Sequence, residues 1–227
     1  TDGQVRTLSY ENVRTDGEVD QAVEDAVRRG ANVIFTTTPK LLLSSVRQAA
    51  LHPDVKILNC SLNTSYPSVR TYFPRLYGAK FIKGAIAGTL TRDGCIGYVA
   101  DYPTYGSIAS INAFAQGARM VNANARIYLD WAHLRDGGAV GRLQAQGIVY
   151  IDYLDRLAAS TGTQMGNRHN LALIQTHWGR LYQSLVRRVM EGSWKQEDQG
   201  SSAVNYWWGM EQGVVSVLCS RRLPTGP

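Results

Sequence analysis

The chain has little of the chemistry that metal sites and most enzymes need. Its three cysteines, Cys60, Cys95 and Cys219, are isolated, and an odd count without a Cys-x-x-Cys pair argues against a disulfide framework or a zinc site. We therefore predict buried free thiols. The four histidines show no metal spacing, and no Gly-x-Ser-x-Gly or phosphate loop occurs. The sequence thus predicts no cofactor, no metal and no enzyme, although Asp152 and Asp155 could imitate the carboxylate pair of a glycosidase.

Long apolar runs and dense basic clusters are also missing. No window approaches the ~20 apolar residues of a membrane span, and no signal peptide begins the chain. The first residues already enter an expected strand, so we interpret Thr1 as a processed or truncated boundary. The net charge is +6, but the basic residues are spread along the chain and no nucleic-acid motif is present. Nucleic acid is therefore not an expected partner.

One stretch in the middle of the chain organises the rest. Cys95–Ala100 is a short apolar run after the turn pair Asp93-Gly94, which is typical of a buried strand. From Ser107, a plausible N-cap, apolar residues recur at helical spacing as far as Val121. Arg126–Trp131 forms a second strand. A strand, a helix and a strand in this order predict a βαβ unit with parallel strands.

The loop after the first of these strands is a candidate ligand site. Ligands of parallel α/β sheets bind beyond the carboxyl ends of the strands. Asp101, Tyr102 and Tyr105 lie there, and an acid with two tyrosines suits a polar ligand that carries a ring. An ordinary loop with a satisfied aspartate and surface tyrosines fits the same residues.

The preceding part of the chain alternates strands and helices with short links. The expected order is a strand, a helix, a buried strand, a helix, a strand and a longer helix, at Val5–Val13, Glu18–Gly30, Ala31–Phe35, Pro39–Leu51, Asp54–Cys60 and Tyr72–Thr91. Thr37 and Thr38 lie at a strand's carboxyl end, where their hydroxyls can hold a polar ligand or can simply begin a helix. Gly84 and Gly88 are expected to let the long helix lie close to a neighbour.

The second half continues the alternation. The expected elements are a helix, a strand, a strand, a helix and two strands, at Gly137–Gln146, Ile148–Asp152, Leu171–Gln175, His177–Gly192, Ala203–Trp208 and Val214–Cys219. We predict two lobes, with residues 1–91 as a first α/β lobe, 92–192 as a second, and 193–227 as the hinge return with the C-terminal strands. The fold class is therefore α/β, with two doubly wound lobes and parallel sheets.

Several motifs, in order along nearly the whole chain, resemble the basic membrane protein (BMP) family. They are Arg70–Thr91 (RTYFPRLYGAKFIKGAIAGTLT), Ile96–Ala100 (IGYVA), Ile111–Asn122 (INAFAQGARMVN) and Asn205–Met210 (NYWWGM). The resemblance implies a nucleoside-binding protein of an ABC importer with the type I periplasmic-binding-protein fold. Two features depart from the family. Its usual first strand and helix have no counterpart after Thr1, and Asp155–Asn170 is shorter and more polar than expected.

The resemblance also implies roles for individual residues. Asp155 follows a strand where the family places an acid that grips ribose hydroxyls, and Asp152 is the alternative because the register there is uncertain. Tyr102 and Tyr105 lie where an aromatic ring could stack on a base. Trp178 begins a helix with ligand-facing residues in the family, although it equally fits a core tryptophan on the helix stripe.

The resemblance implies a binding protein that captures a small polar ligand, nucleoside-like, between two lobes. Its expected setting is outside the cytoplasm as a membrane-anchored lipoprotein, with an ABC permease as partner. The alternative is a ligand-sensing domain of a membrane or transcriptional regulator, with a fused domain upstream of Thr1. A regulator of this kind would be cytoplasmic.

Overall fold

The computed structural model describes residues 5–62, 66–101, 105–133, 138–153, 171–194 and 203–223. The helices are α1 Asp16–Arg28, α2 Leu42–Leu51, α3 Tyr77–Leu90, α4 Tyr105–Val121, α5 Ala139–Ala145 and α6 Trp178–Met190, with a 3-10 turn at Pro39–Leu41 before α2. The strands are β1 Val33–Thr36, β2 Lys56–Asn59, β3 Val69–Pro74, β4 Cys95–Ala100, β5 Arg126–Trp131, β6 Tyr150–Asp152, β7 Ala172–Thr176, β8 Asn205–Trp208 and β9 Val215–Cys219.

The strands form parallel sheets and one antiparallel pair. The first sheet has the order β1-β2-β3-β8, in which β1, β2 and β3 run parallel. The second has the order β5-β4-β6, with both pairings parallel. Strands β7 and β9 pair antiparallel. The α/β class with parallel sheets is thus confirmed.

The chain divides into two compact units, which we describe separately. The first unit contains Thr1–Phe73 and Leu181–Trp207, and the second contains Pro74–Arg180 and Trp208–Pro227. The chain therefore passes from one unit to the other within β3, α6 and β8. The sequence predicted lobe boundaries near residues 91 and 192.

In the first unit, α1 and α2 cover the sheet. Val19 and Val23 of α1 are buried against Leu41, and Ala49 of α2 packs with Ile57 and Val69 of the sheet. A capping box begins α1, because the Thr15 hydroxyl accepts from the Glu18 backbone while the Glu18 carboxylate accepts from the Thr15 backbone.

In the second unit, α3 and α4 pack at unusually close range. A methyl group built on Gly84 of α3 would overlap the backbone carbonyl oxygen of Phe114, and one on Gly117 of α4 would overlap that of Phe81. The expectation that Gly84 and Gly88 permit close packing is confirmed, since Gly88 likewise faces the backbone of Ala118. Tyr98 of β4 and Phe114 pack edge to face beneath these helices.

Four local expectations are wrong. Val5–Val13 is not a strand; most of it is exposed, and Asn12 interrupts the extended chain with φ 60°. Tyr72 lies in β3 rather than in a helix, since strand pairing with β2 and Pro74 delay the helix until Tyr77. Helix α4 begins two residues before Ser107. Finally, all three cysteines are free thiols as predicted, but Cys219 is exposed rather than buried.

Candidate functional site

The carboxyl ends of the parallel strands carry polar and aromatic side chains in both units. The first-unit site, as we name it, follows β1 and β2. It consists of four polar residues and three aromatic residues, namely Thr36, Ser45, Asn59, Ser61, Phe35, Tyr72 and Tyr182.

A hydrogen-bond network fixes the amide of Asn59. Its Nδ2 atom donates to the Thr36 hydroxyl at 2.8 Å and to the Thr38 carbonyl at 2.9 Å. The Thr36 hydroxyl in turn lies 2.9 Å from that of Ser45. Both amide hydrogens are therefore used, and the orientation of the amide is set by its partners.

Two buried polar atoms of this site have no hydrogen-bond partner within the described part of the chain. They are Oδ1 of Asn59 and Oγ of Ser61, both at the end of β2. A buried acceptor without a partner costs about 1–3 kcal/mol, so such a group calls for an explanation. A water molecule or a polar group of a ligand would supply the hydrogen bonds that these two atoms lack.

Three aromatic rings pack edge to face beside this network. The ring centroids of Phe35, Tyr72 and Tyr182 lie 4.9 to 5.7 Å apart. The Tyr72 hydroxyl donates to the Thr36 carbonyl at 3.2 Å. Burial raises the pKa of Tyr72 and that of Tyr182, so both hydroxyls stay neutral. The first-unit site is thus uncharged, aromatic and rich in hydrogen-bonding groups.

The network predicts a measurable stability effect. We expect Thr36→Val to lower the free energy of unfolding by about 1–3 kcal/mol, because it removes a buried hydroxyl that Asn59 and Ser45 both contact. Urea unfolding followed by circular dichroism would measure this. The matched control is Thr89→Val, since Thr89 is exposed on α3 and bonds only its own helix at Ala85. Equal losses in the two variants would contradict a role for the network.

Thr37 and Thr38 adjoin the first-unit site. The Thr38 hydroxyl accepts a long 3.4 Å bond from the Lys40 backbone and so begins the 3-10 turn, while its carbonyl holds Asn59. Thr37 is exposed. Asn59 and Ser61 were missed by sequence reasoning, although their position directly after a buried strand was a usable signal.

In the second unit, Asp101 and His133 come together at the carboxyl ends of β4 and β5. Ala100 and Trp131 are register partners, and Asp101 follows the first directly. His133 Nε2 lies 2.7 Å from Asp101 Oδ1, and each side chain is about one third exposed. The sequence indicates Asp101 but not His133, because a single histidine without metal-ligand spacing carries no signal of its own.

Asp152, the last residue of β6, has a different environment. It is fully buried and forms ion pairs with Lys80 and Lys83, which lie one turn apart on α3 and are buried as well. Lys80 Nζ also lies 4.7 Å from the centroid of the Tyr98 ring. Burial raises the pKa of Asp152, but the two ammonium groups outweigh burial and hold the pKa below its usual range.

The remaining candidates are less defined. Asp155 and Tyr102 lie outside the described residues, as does the side chain of Tyr105, whose backbone begins α4. Trp178 is the first residue of α6 and is half-buried. Next to it, His177 Nε2 contacts the Ser216 hydroxyl at 2.9 Å.

Two absences hold for the described part of the chain. Within it, no three His, Cys, Asp or Glu side chains group closely enough to hold a metal ion. None of its helices has both the length and the apolar character needed to cross a membrane.

Comparisons with known proteins identify the family of the chain. Residues 1–162 match the Bmp family, described as ABC transporter substrate-binding protein PnrA-like. A purine-binding protein of Brucella abortus is 25% identical over 242 aligned positions, which cover 97% of this chain and 67% of the relative. A putative ABC transporter glucose-binding protein of Haloferax volcanii is also 25% identical, over 90% of this chain and 56% of its own length. The chain thus spans between half and two thirds of these relatives.

Solved structures share the fold at lower identity. A transcriptional activator of the comK gene from Bacillus halodurans superposes with a TM-score of 0.71 at 17% identity, covering 95% of this chain and 81% of the other. An ABC transporter solute-binding protein from Conexibacter woesei gives a TM-score of 0.65 at 14% identity, covering 92% and 77%. These similarities establish the solute-binding-protein fold that the sequence predicted.

Proposed function

The chain belongs to the family of PnrA-like ABC transporter substrate-binding proteins, and from this premise we propose that it binds a purine nucleoside for import. The observation that carries the proposal is the first-unit site. The partly exposed rings of Phe35 and Tyr182 offer a surface for a purine ring, with the buried Tyr72 ring behind them. The oriented Asn59 amide and the Ser61 hydroxyl offer partners for the polar edge of the base. The relative from Brucella abortus, a purine-binding protein, supports the same ligand class.

We further propose ligand contacts in the second unit. Asp155 is proposed to accept hydrogen bonds from the ribose hydroxyls, and Tyr102 and Tyr105 to stack on the base. Asp152 is the weaker candidate for the ribose because its carboxylate is fully buried between Lys80 and Lys83. Thr37, Thr38 and Trp178 remain proposed contacts.

The Asp155 proposal predicts a loss of affinity. Asp155→Ala should weaken nucleoside binding by about 1.5–3 kcal/mol, as expected when a charge-assisted hydrogen bond is lost. Isothermal titration calorimetry would measure it. Asp54→Ala is the control, since Asp54 precedes β2 and so lies at the amino end of the sheet, away from the proposed site. Unchanged affinity in Asp155→Ala would remove Asp155 from the site.

The function itself is tested by a ligand panel. Thermal shift and calorimetry with adenosine, guanosine, inosine, uridine and glucose should show that purine nucleosides stabilise the protein most, because a bound ligand stabilises only the folded state. Chromatography of the same mixtures should show the nucleosides unchanged, as expected of a binding protein. Glucose binding alone, or no binding, would overturn the proposal.

The finer assignments are proposals that the family supports. Solute-binding proteins of ABC importers work outside the cytoplasm, and we propose an ABC permease as partner and a lipid anchor as the attachment. A regulatory domain is the second candidate, because a transcriptional activator shares this fold. Ligand-dependent capture by the permease of a nucleoside importer, reconstituted in nanodiscs, would favour import.

A further inference from the structure

The pair formed by Asp101 and His133 has the position and exposure of a ligand contact. Asp101 directly follows β4, and His133 lies two residues after the neighbouring parallel strand β5, at the edge of the sheet where ligands of α/β proteins bind. They are far apart in sequence, so only the pairing of β4 with β5 brings the imidazole within 2.7 Å of the carboxylate. A partly exposed imidazole–carboxylate pair at this edge is not needed to hold either strand, since the β4–β5 ladder runs through all six residue pairs.

The two carboxylate oxygens of Asp101 have different environments. Oδ1 is buried and faces His133 Nε2, whereas the Asp101 side chain as a whole keeps 37% exposure. The exposed part of the side chain therefore excludes Oδ1. An ionised carboxylate accepts hydrogen bonds only, so the group it suits is a neutral N–H or O–H donor.

We propose that Asp101 binds a hydrogen-bond donor of the ligand through Oδ2, and that His133 is the positioning residue that fixes its carboxylate. This inference rests on the proposed nucleoside-binding function and assigns a contact beyond Asp155. On a purine nucleoside the donor is either a sugar hydroxyl or an amino or imino group of the base. Both sources offer the same chemistry, and ligand analogues distinguish them.

The molecule contains a matched control pair. His52 Nε2 lies 3.1 Å from a carboxylate oxygen of Glu24. Glu24 lies on α1, and His52 directly follows α2, so this pair joins two helices rather than the carboxyl ends of two strands. His52→Ala removes the same kind of contact from a place where no ligand is expected.

Calorimetry of the full chain with guanosine tests the proposal. Asp101→Asn should weaken binding about 10-fold or more, in the range measured for hydrogen bonds to charged groups. His133→Ala should weaken it less, and His133→Gln should restore much of the affinity because the glutamine amide can place an N–H group beside the carboxylate. His52→Ala should bind like the parent chain. A purely structural role would instead lower the melting temperature of His133→Ala without rescue of affinity by glutamine.

Guanosine analogues that lack one donor group identify the group that Asp101 contacts. If Asp101 contacts a sugar hydroxyl, Asp101→Asn should lose no further affinity for 2′-deoxyguanosine or 3′-deoxyguanosine. If Asp101 contacts the base amino group, Asp101→Asn should instead lose no further affinity for inosine, which lacks that group. Parent-level guanosine affinity in Asp101→Asn and His133→Ala would overturn this inference while leaving the proposed function intact. Failure of the unmodified chain to bind any nucleoside would overturn both.

Discussion

Asp152→Asn should lower the free energy of unfolding by about 3–5 kcal/mol, the largest single-residue effect expected in this protein. The reason is the burial of the group formed by Asp152, Lys80 and Lys83, whose side chains are at most 2% exposed. The substitution keeps the shape of the side chain but removes the carboxylate that faces two buried ammonium groups. Urea unfolding at pH 7 would measure the loss.

The comparison among variants sharpens this prediction. Lys83→Met should cost less than Asp152→Asn, because Lys80 still faces the carboxylate and a methionine fills similar volume. Asp20→Asn is the surface control. Asp20 accepts two hydrogen bonds from Arg47 and one from Gln48, but its side chain and that of Arg47 are well exposed and asparagine keeps an acceptor oxygen for Gln48, so its loss should be far smaller. If Asp152→Asn unfolded at the same urea concentration as Asp20→Asn, the buried group would not stabilise the fold.

The same carboxylate predicts the acid response. The pKa of Asp152 is lowered in the folded state, so its contribution to stability is present above the unfolded value of about 4 and is lost as the pH falls through the folded value. The parent chain should therefore lose stability more steeply than Asp152→Asn at acid pH. Parallel acid titrations of both chains, followed by circular dichroism, would check the difference.

Gly84→Ala and Gly117→Ala should each destabilise the second unit, at the upper end of the usual 1–3 kcal/mol for overpacking. In both cases the added methyl would meet a backbone carbonyl of the opposing helix, which cannot rotate away as a side chain can. The helices would have to separate, and the contacts beneath them, such as Tyr98 against Phe114, would loosen. Thermal unfolding of each variant would show the effect.

Gly141→Ala is the control for this prediction. Gly141 lies inside α5, and no atom lies within 4 Å of the place where its methyl would stand. Alanine there should stabilise the protein by about 0.5–1 kcal/mol, because a helical glycine costs conformational entropy. Stabilisation by all three substitutions would mean that α3 and α4 are not in close contact.

Local patterns were sufficient for most of the fold. The apolar run and the change of period placed β4 and β5 at their observed residues, because a short strand-like run between turn residues leaves little alternative. The spacing of Gly84 and Gly88 likewise predicted close packing. Val5–Val13 failed because a strand needs a partner as well as a pattern, and Tyr72 failed because a short apolar run fits a helix or a strand equally.

The site could be predicted from the sequence only in outline. The sequence by itself determined which loops follow the carboxyl ends of the strands, and hence that Asp101, Thr37 and Thr38 lie at the proper edges. Tertiary structure alone decided that His133 faces Asp101, that Asn59 is locked by Thr36 and Thr38, and that Lys80 and Lys83 enclose Asp152. The physical reason is that hydrophobic periodicity reports which face of an element is buried, whereas a polar contact depends on which distant element supplies the partner.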